Sequence, residues 1–162
     1  MQKALKEFLR VMKLCVCYGA LFWAIVYVNT QIICISFVPT ESMYPTIKKN
    51  HFVISNRLHT DDINRYDIIV FQEENAVMIK RVIGLPGETI QIKDGKVYAN
   101  GIKLKNSFQP EEMRADDETY TVPEREYFVM GDNRNHSYDS RMYGTIAQKD
   151  IISIKRNRVP FS

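Results

Sequence analysis

The sequence predicts a single membrane-spanning helix at the N-terminus followed by one mainly β domain of twisted antiparallel sheets. Three observations point there. The apolar residues of this 162-residue chain are concentrated in residues 14–38. From His51 onward, short runs rich in β-branched residues alternate partly between apolar and polar positions. Two dipeptides, Asp94-Gly95 and Asn100-Gly101, stand between such runs as hairpin turns do. The length leaves room for one domain and little more.

Residues 1–13 are amphipathic and carry Lys3, Lys6, Arg10 and Lys13 against the single acid Glu7. The apolar segment then runs from Leu14 to Val28, is interrupted by Asn29-Thr30-Gln31, and resumes from Ile32 to Val38. It is long enough to cross a bilayer, which takes roughly 20 residues as a helix. A cleaved signal peptide, cut after Ser36, is the competing reading. The apolar stretch exceeds the roughly 7–15 residues of a signal-peptide core, and Phe22, Trp23 and Tyr27 suit an anchor. The expected division is therefore a cytoplasmic basic N-terminus (1–13), a transmembrane anchor (14–36) and an extracytoplasmic domain (37–162). The basic flank sets that orientation by the positive-inside rule.

Residues 51–58, 66–72 and 76–85 read as strands, and 88–104 as strands joined by the two hairpin turns. Residues 105–119 are polar and acidic and read as an exposed loop. A further β segment covers 120–132 and a last strand 150–159, with no second helix of any length after the anchor.

Net charge is +3 and no run of Lys and Arg forms a phosphate-binding patch, which argues against nucleic acid. Cys15, Cys17 and Cys34 all lie in the apolar segment, so no disulfide framework is expected. The histidines His51, His59 and His136 are scattered without zinc spacing, and neither metal nor cofactor is expected.

Three stretches carry candidate chemistry. Ser42 lies between Pro39 and Pro45, residues with fixed φ and no N–H to donate. The loop reads equally as the mount of a nucleophile or as a plain interdomain turn. A serine nucleophile needs a base. His136, with Asp132 or Asp139 behind it, is one candidate, although a histidine among turn residues also reads as a solvated surface group. Lys80 is the other. On a strand it shares a face with Met78 and Val82, where desolvation lowers a lysine pKa, while Arg81 points the opposite way toward an acid. The same pattern also suits a lysine that snorkels from an edge strand. The third stretch, residues 129–144, packs Gly, Asp, Asn, Ser and Arg into a polar turn between two strands.

In this order behind an anchor, the segments resemble the type I signal peptidases, bacterial membrane-anchored Ser–Lys serine proteases. The matching motifs are Ser42-Met43-Tyr44-Pro45-Thr46, then Lys80-Arg81-Val82-Ile83-Gly84-Leu85-Pro86-Gly87-Glu88, then Gly131-Asp132-Asn133-Arg134 with Ser137, Asp139-Ser140-Arg141 and Gly144. Tyr66-Asp67-Ile68-Ile69-Val70-Phe71 is also similar to a family strand, with Tyr66 where a glycine is usual. The resemblance spans nearly the whole chain. It implies Ser42 as nucleophile, Lys80 as general base and Ser137 as the hydroxyl that orients the lysine. Thr40 would join the Ser42 N–H in the oxyanion hole. Asp132, Asp139, Arg141 and Arg81 would be structural polar residues, with an Arg81–Asp132 pair. Val38, Met43, Ile47, Met78 and Ile79 would form shallow substrate pockets. The implied partners are preproteins bearing signal peptides, with small residues at the first and third positions before the cut, and membrane lipid. The implied location is the bacterial cytoplasmic membrane. Some signal-peptidase-like proteins lack the dyad and serve pilus or surface-protein assembly without catalysis; this chain keeps both residues.

Overall fold

The structure is a computed structural model that describes residues 2–58, 60–105 and 107–156. His59, Asn106 and residues 157–159 of the expected last strand lie outside them. The chain divides after Ile33 into two compact units.

The first unit is a helix, α1 (Gln2–Tyr27), that continues through one π-helical turn at Val28–Ile32. The polar interruption of the sequence falls on that turn, where Thr30 Oγ1 donates back to the carbonyl of Val26 at 2.9 Å. Among the described residues this is the one helix long and apolar enough, by length and composition, to cross a membrane. Its 31 residues reach about 46 Å. The helix therefore starts earlier than Leu14 and stops before residue 36. Residues 33–38 are strand β1 (Ile33–Val38), with Cys34 and Val38 buried and Ile35 exposed. A continuous apolar run does not by itself distinguish the end of a helix from a half-buried strand, which is why residues 33–36 were expected in the anchor.

The second unit is mainly β. A seven-stranded sheet runs β1–β2–β11–β3–β4–β9–β10, made by β2 (His51–Asn56), β3 (Ile68–Glu73), β4 (Ala76–Gly84), β9 (Glu126–Met130), β10 (Ile146–Ala147) and β11 (Ile151–Lys155) with β1. A four-stranded sheet runs β7–β6–β5–β8, from β5 (Thr89–Lys93), β6 (Lys96–Ala99), β7 (Ile102–Lys103) and β8 (Glu118–Thr121). The hairpin β3–β4 and the pairs β4–β9, β5–β6 and β5–β8 are antiparallel. Both expected turns close hairpins with positive φ at each central residue: Asp94 (49°) and Gly95 (67°), Asn100 (49°) and Gly101 (80°). That is the geometry that follows the twist of the flanking strands. Tyr66, standing where a glycine is usual, has φ of 73° and so adopts the left-handed conformation that favours glycine.

Strand alternation sorts the core into three clusters. Ile69, Phe71, Val82 and Val129 pack on one side of the central strands with Ile151 and Ile154. Ile68, Val70 and Ile79 pack on the other with Val38, Met43, Ile47 and Val53. Ile83, Phe128 and Met130 join the smaller sheet through Ile90, Ile92 and Val97. Two details differ from the sequence reading. The polar segment ending at residue 119 is not simply exposed: Met113 is buried in the third cluster, and the ring of Phe108 lies against Arg81 and Tyr66. A single helical turn, α2 (Ser140–Tyr143), follows Asp139, whose side chain caps it.

Candidate active site

The loop between β1 and β2 presents Ser42. Met43 and Ile47, at 0% and 5% exposure, sink into the core beneath it, and the Tyr44–Pro45 peptide bond is cis. The loop is also held from the side. The Asn133 N–H donates to the Ser42 carbonyl at 3.0 Å, and Asn133 Nδ2 donates to the Glu41 carbonyl at 3.2 Å. Gly131 is required at this junction, because a Cβ there would stand 2.5 Å from the Ser42 carbonyl oxygen and collide with the Ser137 hydroxyl.

Lys80 reaches Ser42 from β4. Its Nζ donates to Ser42 Oγ at 2.9 Å, and the Thr40 hydroxyl lies 3.2 Å from the same oxygen. Lys80 is 5% exposed and pairs across the strands with the buried Ile69. Burial pushes its pKa down, opposed by the more distant charges of Asp139 and Asp132. Among the described residues no carboxylate stands within ion-pair distance of the amine. A desolvated amine without an acid partner favours its neutral, basic form.

The surrounding ion pairs are elsewhere occupied. Arg81 makes a two-pronged pair with Asp132, at 2.7 and 2.6 Å, with both side chains at 0% exposure. It also donates to the Tyr66 carbonyl and to Thr46 Oγ1 of the loop that carries Ser42. Asp139 accepts from the Gly131 N–H at 2.9 Å and from Arg141 Nε at 2.8 Å. Arg141 in turn donates to the Arg134 carbonyl. Burial pushes the Arg134 guanidinium down to about 10, against the pull of Asp132 and Asp139. With both acids engaged, His136 has neither behind it. It is exposed, and its Nε2 stands 4.0 Å from Glu111. The histidine triad has no geometric support.

A groove of about 380 Å³ opens at Ser42, lined by residues 37–40 and 76–80 with His136 and Tyr138. β9 pairs with β4 only from Arg81 onward, so residues 76–80 lie outside that ladder and border the groove. Of the expected pocket residues, Val38, Met78 and Ile79 line it. Met43 and Ile47 do not; they form the packed layer under the loop. Ser137 has a buried hydroxyl with no hydrogen-bond partner among the described residues, wedged against Gly131 rather than bonded to Lys80. Sequence reasoning missed Asn133 as a tie to the loop that carries Ser42, and Phe37, Val77 and Tyr138 as groove walls. The free edge of β4 follows from where β9 stops, which no single-strand pattern displays.

The family model described as signal peptidase, peptidase S26, matches residues 8–159. A signal peptidase I of Leptolyngbya laminosa is 38% identical over 130 residues, covering 72% of this chain and 63% of its own length. Signal peptidase I V of Bacillus subtilis is also 38% identical over 130 residues, covering 70% of this chain and 77% of its own. The chain thus spans less than two thirds of the first relative and about three quarters of the second. The crystal structure of a signal peptidase I from Enterococcus faecalis is similar at a TM-score of 0.51 and 35% identity, over 59% of this chain and 97% of that one.

Proposed function

The chain belongs to the signal peptidase family, peptidase S26, and from that premise we propose that it is a membrane-bound serine endopeptidase that removes signal peptides from exported preproteins. The observation that carries the reading is the 2.9 Å hydrogen bond to Ser42 from a buried Lys80 that has no carboxylate at ion-pair distance among the described residues. In the proposed reaction neutral Lys80 takes the Ser42 proton as Oγ attacks the scissile carbonyl. The C–N bond breaks, the amine leaves with the proton from Lys80, and an acyl-enzyme remains. Water, deprotonated by the same amine, then hydrolyses the ester and restores Ser42. The Ser42 N–H and the Thr40 hydroxyl serve as oxyanion donors, a contribution of about 3 kcal/mol for one such donor. Ser137 supports the lysine once substrate seals the groove, its hydroxyl being unpartnered beforehand.

An extended segment adds to the free edge of residues 76–80, with its small side chains at the first and third positions against Val38 and Ile79. The apolar helix anchors the chain in the bacterial cytoplasmic membrane with residues 1–13 on the cytoplasmic side and the β domain on the side where signal peptides emerge. Asp132, Asp139, Arg81 and Arg141 hold the loops that carry Ser42.

Cleavage of a secretory precursor by the full chain in detergent tests the reading. Wild type and His136→Ala are expected to cleave and Ser42→Ala is not. Absence of cleavage by the wild type across several precursors would move the protein to an assembly role, and inactivity of His136→Ala would reopen the histidine base.

A further inference from the structure

A second cavity, of about 210 Å³, opens off the catalytic groove and shares Ala76, Met78 and Tyr138 with it. Its volume equals about seven waters' share of the liquid, room for one long side chain. From β4 it takes Ala76 and Met78 but neither Val77 nor Ile79, so it lies on the strand face opposite those two groove residues. Its walls are amphipathic. The rings of Tyr138 and Tyr143 meet edge to face at 5.2 Å, and the Tyr143 hydroxyl is buried without a hydrogen-bond partner among the described residues. The end of the cavity is acidic, formed by Glu73 and Glu74 at the tip of the β3–β4 hairpin. Among the described residues no basic side chain stands within ion-pair distance of either. Burial and the negative charges of Glu74 and Asp150 push the Glu73 carboxyl up from its ordinary range, which marks a carboxylate in want of a cation.

We propose that this cavity is a subsite for a lysine or arginine side chain of the substrate, at the second or fourth position before the cut. The inference rests on the peptidase reading above and adds a specificity to it. Side chains of a strand added along residues 76–80 alternate between two faces. If the first and third positions meet Val38 and Ile79, the second and fourth project toward Met78 and Ala76. A basic side chain fits there on chemical grounds. Its methylene stem packs on Met78, its cation passes the tyrosine faces, and its head reaches Glu73 while accepting no competition from a protein cation. An acidic side chain in the same place meets Glu73 and Glu74 and is rejected.

The test is kcat/KM on precursors identical except for Lys, Gln or Glu at the second position and, in a separate series, at the fourth. Wild type is expected to prefer Lys over Glu at one of the two by roughly fivefold. Glu73→Gln flattens that ratio to within about twofold, and Glu73→Lys reverses it. Equal wild-type rates for Lys and Glu at both positions would overturn the subsite, as would an undiminished preference in Glu73→Gln. Tyr143→Phe, which removes the unpartnered hydroxyl and keeps the ring, is expected to retain the charge preference; its loss there would assign the discrimination to the phenol rather than to Glu73 and so overturn the proposal too. No cleavage of any precursor by wild type would instead defeat the peptidase reading on which the subsite depends.

Discussion

Lys80 and Arg81 are neighbours on β4, both nearly sealed from solvent, and the protein treats their charges in opposite ways. On one strand face Lys80 has a serine hydroxyl at 2.9 Å and no carboxylate partner among the described residues. On the other face Arg81 has both oxygens of Asp132, a backbone carbonyl, the Thr46 hydroxyl and an aromatic ring 3.7 Å from its guanidinium carbon. The choice of cation fits each task. A lysine gives up its proton when desolvated, whereas a guanidinium stays charged and supplies a planar fork for a carboxylate. One face of the strand unsettles a charge and the next residue fixes one. The difference suggests that burial in this fold becomes reactivity only where a counter-charge is withheld.

Removing the unsettled charge has the largest expected effect. On the proposed mechanism Lys80→Ala takes the base from Ser42, and turnover of a precursor is expected to fall by about 10⁴-fold with the unfolding transition still cooperative. Wild-type turnover in the purified variant would sink the contrast at its catalytic end. Removing the partner of the fixed charge comes next. Asp132→Ala leaves Arg81 buried and uncompensated, and a loss of about 3–5 kcal/mol is expected in denaturant unfolding of the detergent-solubilised chain. A loss under about 1 kcal/mol would mean that the Tyr66 and Thr46 contacts alone hold the guanidinium.

How much of this was legible in the sequence depended on the range of the physics. Local rules carried far. Period-two alternation was enough to separate Lys80 from Arg81, and the two glycine-containing turns closed hairpins where expected. What failed was decided by distant neighbours. Ile33–Val38 is apolar in either structure, and only pairing with β2 makes it strand rather than helix. Met43 and Ile47 flank the serine in sequence but turn inward, because Val53, Ile68 and Val70 offer them a core. Met113 and Phe108 belong to the segment that read as an exposed polar loop, and it is the smaller sheet and Arg81 that supply their contacts. Asn133 offered no more signal than any other turn asparagine, although it donates twice to the loop that carries Ser42.

The smallest expected effect is also the most direct test of the withheld counter-charge, because it concerns stability rather than catalysis. Burial lowers the folded-state pKa of Lys80 below its ordinary 10.5, so the unfolded chain binds the proton more tightly than the folded one. Below the folded value both states are protonated and the fold carries the full cost of a buried ammonium. As pH rises from the folded value toward 10.5, the folded state is neutral while the unfolded state still holds its proton, and stability climbs. Lys80→Met keeps the length and removes the charge. It is expected to be about 1 kcal/mol more stable than wild type near neutral pH and to lose that pH-dependent gain. Activity supplies a cross-check in the wild type, because in the proposed mechanism the neutral amine is the working form: turnover should rise with pH through the same folded value at which the stability gain begins. Unfolding of the two proteins in detergent across that range, beside a pH profile of cleavage, reads both quantities. An unchanged stability slope in Lys80→Met would mean that the ammonium is already solvated in the fold, and the contrast with Arg81 would then come from geometry instead of from charge.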